Sequence, residues 1–187
     1  PTITDVVPSE KEITIGYIGR LVDLKWVDIL LQSFFQFLGE YTGEKKIQLK
    51  IIGDGPERKK LEKLVETLTL SSCVEFLGSQ PIEKIRKEYL PSFHIFVNPS
   101  FQEWLPTTVI EALIAGCEVI ATDVGGTREI LRHAPFTLIA PRSIRALSEA
   151  MSEKVSSLGW GTITRLPVSL FSWNQTFREF GEVYKRF

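Results

Sequence analysis

Soft and metal-seeking side chains are scarce: the 187 residues hold two cysteines, two histidines and one methionine. Cys73 and Cys117 each open an apolar, strand-like run. They are expected to be buried, reduced thiols rather than a disulfide or a metal pair. With no Cys/His cluster, a structural zinc site is not expected. An excess of positive charge is also lacking. Lys and Arg total 22 against 23 Asp and Glu, for a net charge of -1, and runs such as "ERKKLEK" alternate sign in the manner of a solvated helix face. Nucleic acid is therefore not an expected partner. No apolar run approaches the roughly 20 residues of a spanning helix, and no signal-like stretch opens the sequence. The expected location is cytoplasmic, with peripheral membrane association left to regions outside this chain. Met151 is the only methionine, so the chain reads as a piece of a longer protein.

What is present is a regular alternation. Strand-like runs fall at 12–19, 47–53, 73–78, 94–100, 118–123 and 136–140, with helical periods near 26–41, 56–68, 82–90, 107–115, 127–132 and 143–158. Several of the strands are nearly continuous Val, Ile, Leu and Phe, as expected when both faces of a sheet are covered. Short loops between strand and helix then predict an α/β fold, a doubly wound parallel sheet of Rossmann-like type. Residues 1–11 read as a linker and 12–160 as the domain. Residues 161–187 read as an irregular joint followed by a helix with Trp173, Phe177, Phe180, Tyr184 and Phe187 on one face.

Ligands of such sheets bind beyond the carboxyl ends of the strands. The residues there are Gly19, Arg20 and Lys25; Gly53, Asp54 and Gly55; Gly78, Ser79 and Gln80; Ser100 to Pro106; and Asp123 to Thr127. Arg20 and Lys25, close to a helix start, suit a diphosphate, although each could simply face water. A nicotinamide site fits poorly, because "GYIGR" lacks the G-x-G-x-x-G fingerprint. In "FQEWLPTTVIEALIAG", Pro106 marks a helix start whose free N–H groups point toward the crevice. Two carboxylates, Glu103 and Glu111, bracket this otherwise uncharged segment. They would repel a phosphate unless they take neutral hydroxyls, which a nucleotide sugar supplies. The plainer readings are a loop carboxylate capping backbone N–H groups for Glu103 and a solvent-facing helix residue for Glu111.

Together, "IGYIGRLVDLK", "IIGDGPERKKLE", "VEFLG", "FVNPSFQEWLPTTVIEALIAG", "VIATDVGGTREIL" and the late "FSW" resemble the carboxyl-terminal domain of family 4 glycosyltransferases of the GT-B fold. The resemblance implies that Arg20 and Lys25 hold the donor diphosphate and Glu111 the ribose hydroxyls. It implies that Glu103 lies by the transferred sugar, with Arg20, Lys25 and Glu103 as the catalytic set. Ser79 and Gln80 would face the base. Gly19, Asp54, Trp104, Leu105, Pro106 and Thr107 would complete the donor pocket, the backbone of 105–107 meeting sugar and phosphate. It implies transfer with retention of anomeric configuration, no bound metal and no cofactor. The substrate would be a nucleoside diphosphate sugar, with UDP or GDP favoured over ADP. The acceptor-binding amino-terminal domain, on the same or another chain, is the implied partner, so this chain alone would not be active.

Two positions depart from the family pattern. Where glycine or another small residue usually follows the lysine and the first glutamate, this chain has Trp26 and Trp104. The indoles either point away into packing, form an aromatic wall that changes donor choice, or impair the site. In the last case the chain would be a noncatalytic assembly module. A sugar-nucleotide epimerase is a further alternative, disfavoured by the seven-residue spacing between the glutamates. His94, where the family often carries aspartate, is expected to be structural.

Overall fold

The computed structural model describes residues 8–103, 106–130 and 136–158, with only the backbone of 129, 130 and 136. Six strands form one sheet: β1 (Glu12–Ile18), β2 (Lys46–Ile52), β3 (Val74–Gly78), β4 (Ile95–Asn98), β5 (Glu118–Thr122) and β6 (Phe136–Ile139). Their order is β3-β2-β1-β4-β5-β6 and all pairings are parallel. The expected doubly wound parallel sheet is therefore observed. Its strand order reverses between β1 and β4, which makes that gap the switch point. The expected strands all form, each close to its anticipated ends.

Side chains alternate across the sheet and so build two cores. Ile13, Ile15, Tyr17, Leu49, Ile51, Val97 and Ile120 face one way and pack with helices α1 (Val27–Glu40), α2 (Arg58–Thr67) and α7 (Ile144–Ser157). Phe96, Val119 and Ala121 face the other way, against α5 (Thr107–Ala115) and residues 82–92. Each fully buried aliphatic or aromatic side chain contributes on the order of 1.5–3 kcal/mol. The middle strands are covered twice, which explains their unbroken apolar runs. On β1, a Cβ at Gly16 would lie 2.0 Å from the Phe93 ring, so glycine is what lets that ring rest on the strand.

Helix ends show two differences from expectation. Pro56 does not open α2; it sits in a turn closed by Arg58 N–H to the Gly55 carbonyl at 3.1 Å, and the helix begins at Arg58. The helical run after β3 passes beyond residue 90, through α3 (Ile82–Lys84), a π turn (Ile85–Tyr89) and α4 (Leu90–Ser92). Pro91 lies within it. Proline removes an N–H and crowds the carbonyl four residues earlier, and the wider π turn just before it relieves that conflict. α6 (Thr127–Ile130) follows β5. The joint and aromatic-faced helix expected over 161–187 lie outside the described residues, as does most of the 1–11 linker.

Cys73 and Cys117 are both free thiols. Burial pushes the Cys117 thiol up to about 12, and its Sγ donates to the Leu90 carbonyl at 3.2 Å. His94 stands at the amino end of β4. Its Nδ1 accepts the Thr14 N–H at 3.1 Å and its Nε2 lies 3.0 Å from the Ser9 carbonyl. One nitrogen must accept and the other must donate, which defines the neutral imidazole protonated on Nε2. Among the described residues, no helix is long and apolar enough to cross a membrane.

Candidate functional site

The loop after β1 is held from below and from the side. Tyr17, buried in the sheet, donates its hydroxyl to the Arg20 carbonyl at 3.1 Å. The Gly19 N–H bonds to the Ile52 carbonyl at 3.0 Å and the Leu21 N–H to the Asp54 carbonyl at 2.9 Å. These bonds bring two backbones together. A Cβ at Gly53 would sit 1.9 Å from the Gly19 oxygen, and one at Gly55 would sit 2.3 Å from the Leu21 oxygen. Gly53 also has φ +137, which side chains rarely tolerate. The Gly-Asp-Gly turn thus braces the β1 loop. Asp54 serves its own turn: Oδ1 accepts the Gly55 N–H at 2.7 Å and Oδ2 pairs with Arg58 at 3.3 Å.

The loop after β4 lies across the switch point and is fastened to the β1 loop. The Phe101 N–H bonds to the Leu24 carbonyl at 2.9 Å. The rings of Trp26 and Phe101 lie 4.9 Å apart, with Arg142 over the indole at 5.4 Å. The Lys25 ammonium pairs with Glu103 Oε1. The same Oε1 accepts the Ser100 hydroxyl at 2.8 Å, and that hydroxyl is also 2.7 Å from Asn98 Oδ1. Ser100 is fully buried, and its carbonyl accepts the Thr122 hydroxyl from β5. Beneath them, a Cβ at Gly125 would fall 1.7 Å from the Glu103 carbonyl oxygen. The loops after β1, β4 and β5 therefore converge around Glu103 and Lys25.

Trp26 is 6% exposed and adopts φ 46, the left-handed conformation, between a short 3-10 turn (Asp23–Lys25) and α1. That backbone explains why glycine suits this position, since a left-handed side-chain-bearing residue costs about 1–2 kcal/mol. The indole instead packs on Phe101, which leaves it little surface with which to obstruct a donor. Trp104 and Leu105 lie outside the described residues.

The remaining expected residues are distributed along the same edge. Arg20, Ser79 and Thr107 are all exposed and so open to a ligand. Gln80 turns its amide back to the Leu77 carbonyl at 2.7 Å. Pro106 is the residue before the first turn of α5, and no side chain caps that turn. The first N–H groups of a helix have no partner within it, so the start of α5 carries a partial positive charge. Glu111 meets a cation that the sequence did not suggest: Arg86 places Nε at 3.2 Å and Nη2 at 2.6 Å from Glu111 Oε1. Each carboxylate thus has a cation on Oε1. No hydrogen bond from the described residues falls on Oε2 of either.

Tyr17, Arg86 and Thr122 are the site residues that sequence reasoning missed. Burial, and then the Glu103 charge, push the Tyr17 phenol well above its ordinary value, so it remains an O–H donor. Its position two residues before Gly19 on a buried strand is the one signal that pointed to it. Arg86 lies 25 residues from Glu111, and no local pattern joins them.

Comparison with known proteins agrees with this arrangement. Residues 12–157 match the family model described as glycosyl transferases group 1. The chain is 30% identical over 184 residues to a phosphatidylinositol N-acetylglucosaminyltransferase subunit of Arabidopsis thaliana, covering 97% of this chain and 40% of that protein. Sucrose-phosphate synthase from Thermosynechococcus elongatus superposes with a TM-score of 0.75 at 25% identity, over 94% of this chain and 45% of that one. An Anabaena protein solved with UDP and glucose shares the fold, with a TM-score of 0.69 at 21% identity over 79% of this chain and 39% of its own. The chain thus spans less than half the length of these proteins. The match, the parallel sheet and the glycine-braced loops at its switch point agree: the chain belongs to the glycosyl transferases group 1 family and has the Rossmann-like fold of GT-B glycosyltransferases.

Proposed function

We propose that this chain is the donor-binding half of a retaining hexosyltransferase that takes a nucleoside diphosphate sugar, with the acceptor held by an amino-terminal domain outside it. The observation that carries this reading is the fastening of the β1 and β4 loops at the switch point. It pairs Lys25 with Glu103 at the carboxyl edge of the sheet, and Arg20 is exposed on the same β1 loop. The Anabaena neighbour's UDP and glucose, and the N-acetylglucosaminyl transfer in the Arabidopsis relative's name, support a sugar nucleotide as substrate.

In this reading the diphosphate lies against Arg20, Lys25 and the α5 N–H groups. When the bond between the anomeric carbon and the phosphate oxygen breaks, negative charge grows on that oxygen. Preorganised cations and N–H dipoles stabilise it more than they stabilise the intact donor, which lowers the barrier. Glu103 takes sugar hydroxyls through Oε2, while Lys25 and Ser100 hold its Oε1. Glu111 takes the ribose hydroxyls, and Ser79 and Gln80 lie toward the base. The acceptor oxygen forms the new bond on the face the leaving group vacates, and its proton departs with the diphosphate. Reaction takes place in the cytoplasm, where the acceptor domain could bring a membrane-bound acceptor to the site.

Calorimetric titration of this chain with UDP, GDP and ADP tests the proposal. Saturable binding of one nucleotide, abolished by Arg20→Ala with the melting temperature nearly unchanged, is the expected result. If none of the three binds, or if Arg20→Ala binds as the unmodified chain does, the donor-site assignment fails.

A further inference from the structure

Arg86 stands out because its partner is a carboxylate that the donor reading needs for something else. Its guanidinium reaches from the π turn Ile85–Tyr89 to α5 and puts both contacting nitrogens on Oε1 of Glu111. A guanidinium facing a carboxylate squarely would occupy both oxygens; this one approaches from the side and leaves Oε2 without a partner among the described residues. The arginine is half exposed, whereas the Glu111 side chain is 21% exposed. The contact therefore belongs to a site edge rather than to a core. The wider π turn is what the run adopts ahead of Pro91, and it carries Arg86 toward α5.

We infer that Arg86 is a positioning residue for donor recognition: it holds Glu111 through Oε1 and aims Oε2 at the ribose diol, so that the chain distinguishes ribonucleotides from 2′-deoxyribonucleotides. This rests on the donor-binding reading above. A free carboxylate would rotate about its last bond and offer either oxygen in many directions. Pinning one oxygen leaves the other as a directed acceptor, and a directed charged acceptor discriminates strongly against a ligand that lacks the hydroxyl. Lys25 on Glu103 Oε1 repeats the same device on the loop before the helix.

The test compares UDP, GDP and ADP with their 2′-deoxy counterparts on the unmodified chain, Arg86→Ala and Arg86→Lys. The unmodified chain is expected to prefer its ribonucleotide by roughly tenfold or more, the value of a hydrogen bond to a charged group. Arg86→Ala should weaken the ribonucleotide until that preference is nearly gone, while the 2′-deoxy form binds as before. Arg86→Lys should restore part of it. In a Glu111→Gln background, Arg86→Ala should change little, as expected for residues acting through one contact. Equal weakening of both nucleotides by Arg86→Ala would make the arginine a phosphate ligand and overturn the inference, as would an undiminished preference or tighter binding. Absence of binding by the unmodified chain would instead remove the donor reading itself, and this inference with it.

Discussion

Strand β4 has a polar group at each end, and the two are treated in opposite ways. Before the strand, His94 spends both ring nitrogens on backbone, the Thr14 N–H and the Ser9 carbonyl. After it, Glu103 spends one oxygen on Lys25 and Ser100 and keeps the other. The closed end ties β1, β4 and the entering chain together; the open end has an acceptor and a cation to offer. A polar side chain whose capacity is consumed by neighbouring backbone acts as a structural staple. One that is half consumed, at the carboxyl edge of a parallel sheet, is placed to meet a ligand.

The glycines under the open end give the largest way to break this contrast. Gly53→Ala forces a Cβ onto the Gly19 oxygen at φ +137, with a strain of about 3 kcal/mol or more from the clash and the backbone together. Urea unfolding should show that loss, and donor binding should fall with it because the β1 loop is displaced. Next is Lys25→Ala, expected to weaken nucleotide diphosphate binding about a hundredfold with little change in unfolding midpoint. An equal loss of stability would make the Lys25–Glu103 pair a second staple. Trp26→Gly sets two effects against each other. Relief of the left-handed backbone returns about 1–2 kcal/mol, while loss of the buried indole costs about 3–5 kcal/mol. A net destabilisation of about 2 kcal/mol in urea melts is expected from that difference, with nucleotide affinity retained.

The smallest effect is expected at the closed end. Burial holds the His94 imidazole below its ordinary value, so the unfolded chain takes up a proton at higher pH than the folded one. Stability should therefore be unaffected well above about pH 6.5 and fall as the pH drops below it. Protonation would also cost Nδ1 its bond from the Thr14 N–H. Unfolding of the unmodified chain and His94→Gln, compared at about pH 7.5 and about pH 5.5, on either side of the ordinary imidazole value, should show the larger acid loss in the unmodified chain. Equal losses would assign the pH dependence elsewhere.

The fold was legible because burial on both faces forces apolar runs, and because glycine and proline punctuate strand ends for steric reasons. The helix boundaries at Pro56 and Pro91 were less legible. A proline's local preference competes there with turn closure and with a π turn, both decided by neighbouring segments. At the site, the strand-end rule drew attention to Arg20, Lys25 and Glu103, and the carboxylates bracketing an uncharged segment to Glu111, but neither could show what each would touch. Trp26 illustrates the limit: its residue type left packing, an aromatic wall and an impaired site open, and its left-handed backbone and contact with Phe101 make it part of the packing.

By itself, then, the amino-acid sequence determined the α/β class, the alternation of elements and the residues standing at the carboxyl edge of the sheet. These follow from periodicity, turn sterics and the resemblance those residues carry. The tertiary structure alone decided the pairings Lys25 with Glu103 and Arg86 with Glu111, and the seating of Gly53 and Gly125 under neighbouring loops. The two ion pairs join residues 78 and 25 positions apart. They depend on strand order and on the depth at which each loop crosses the switch point, and no local pattern of residues encodes either.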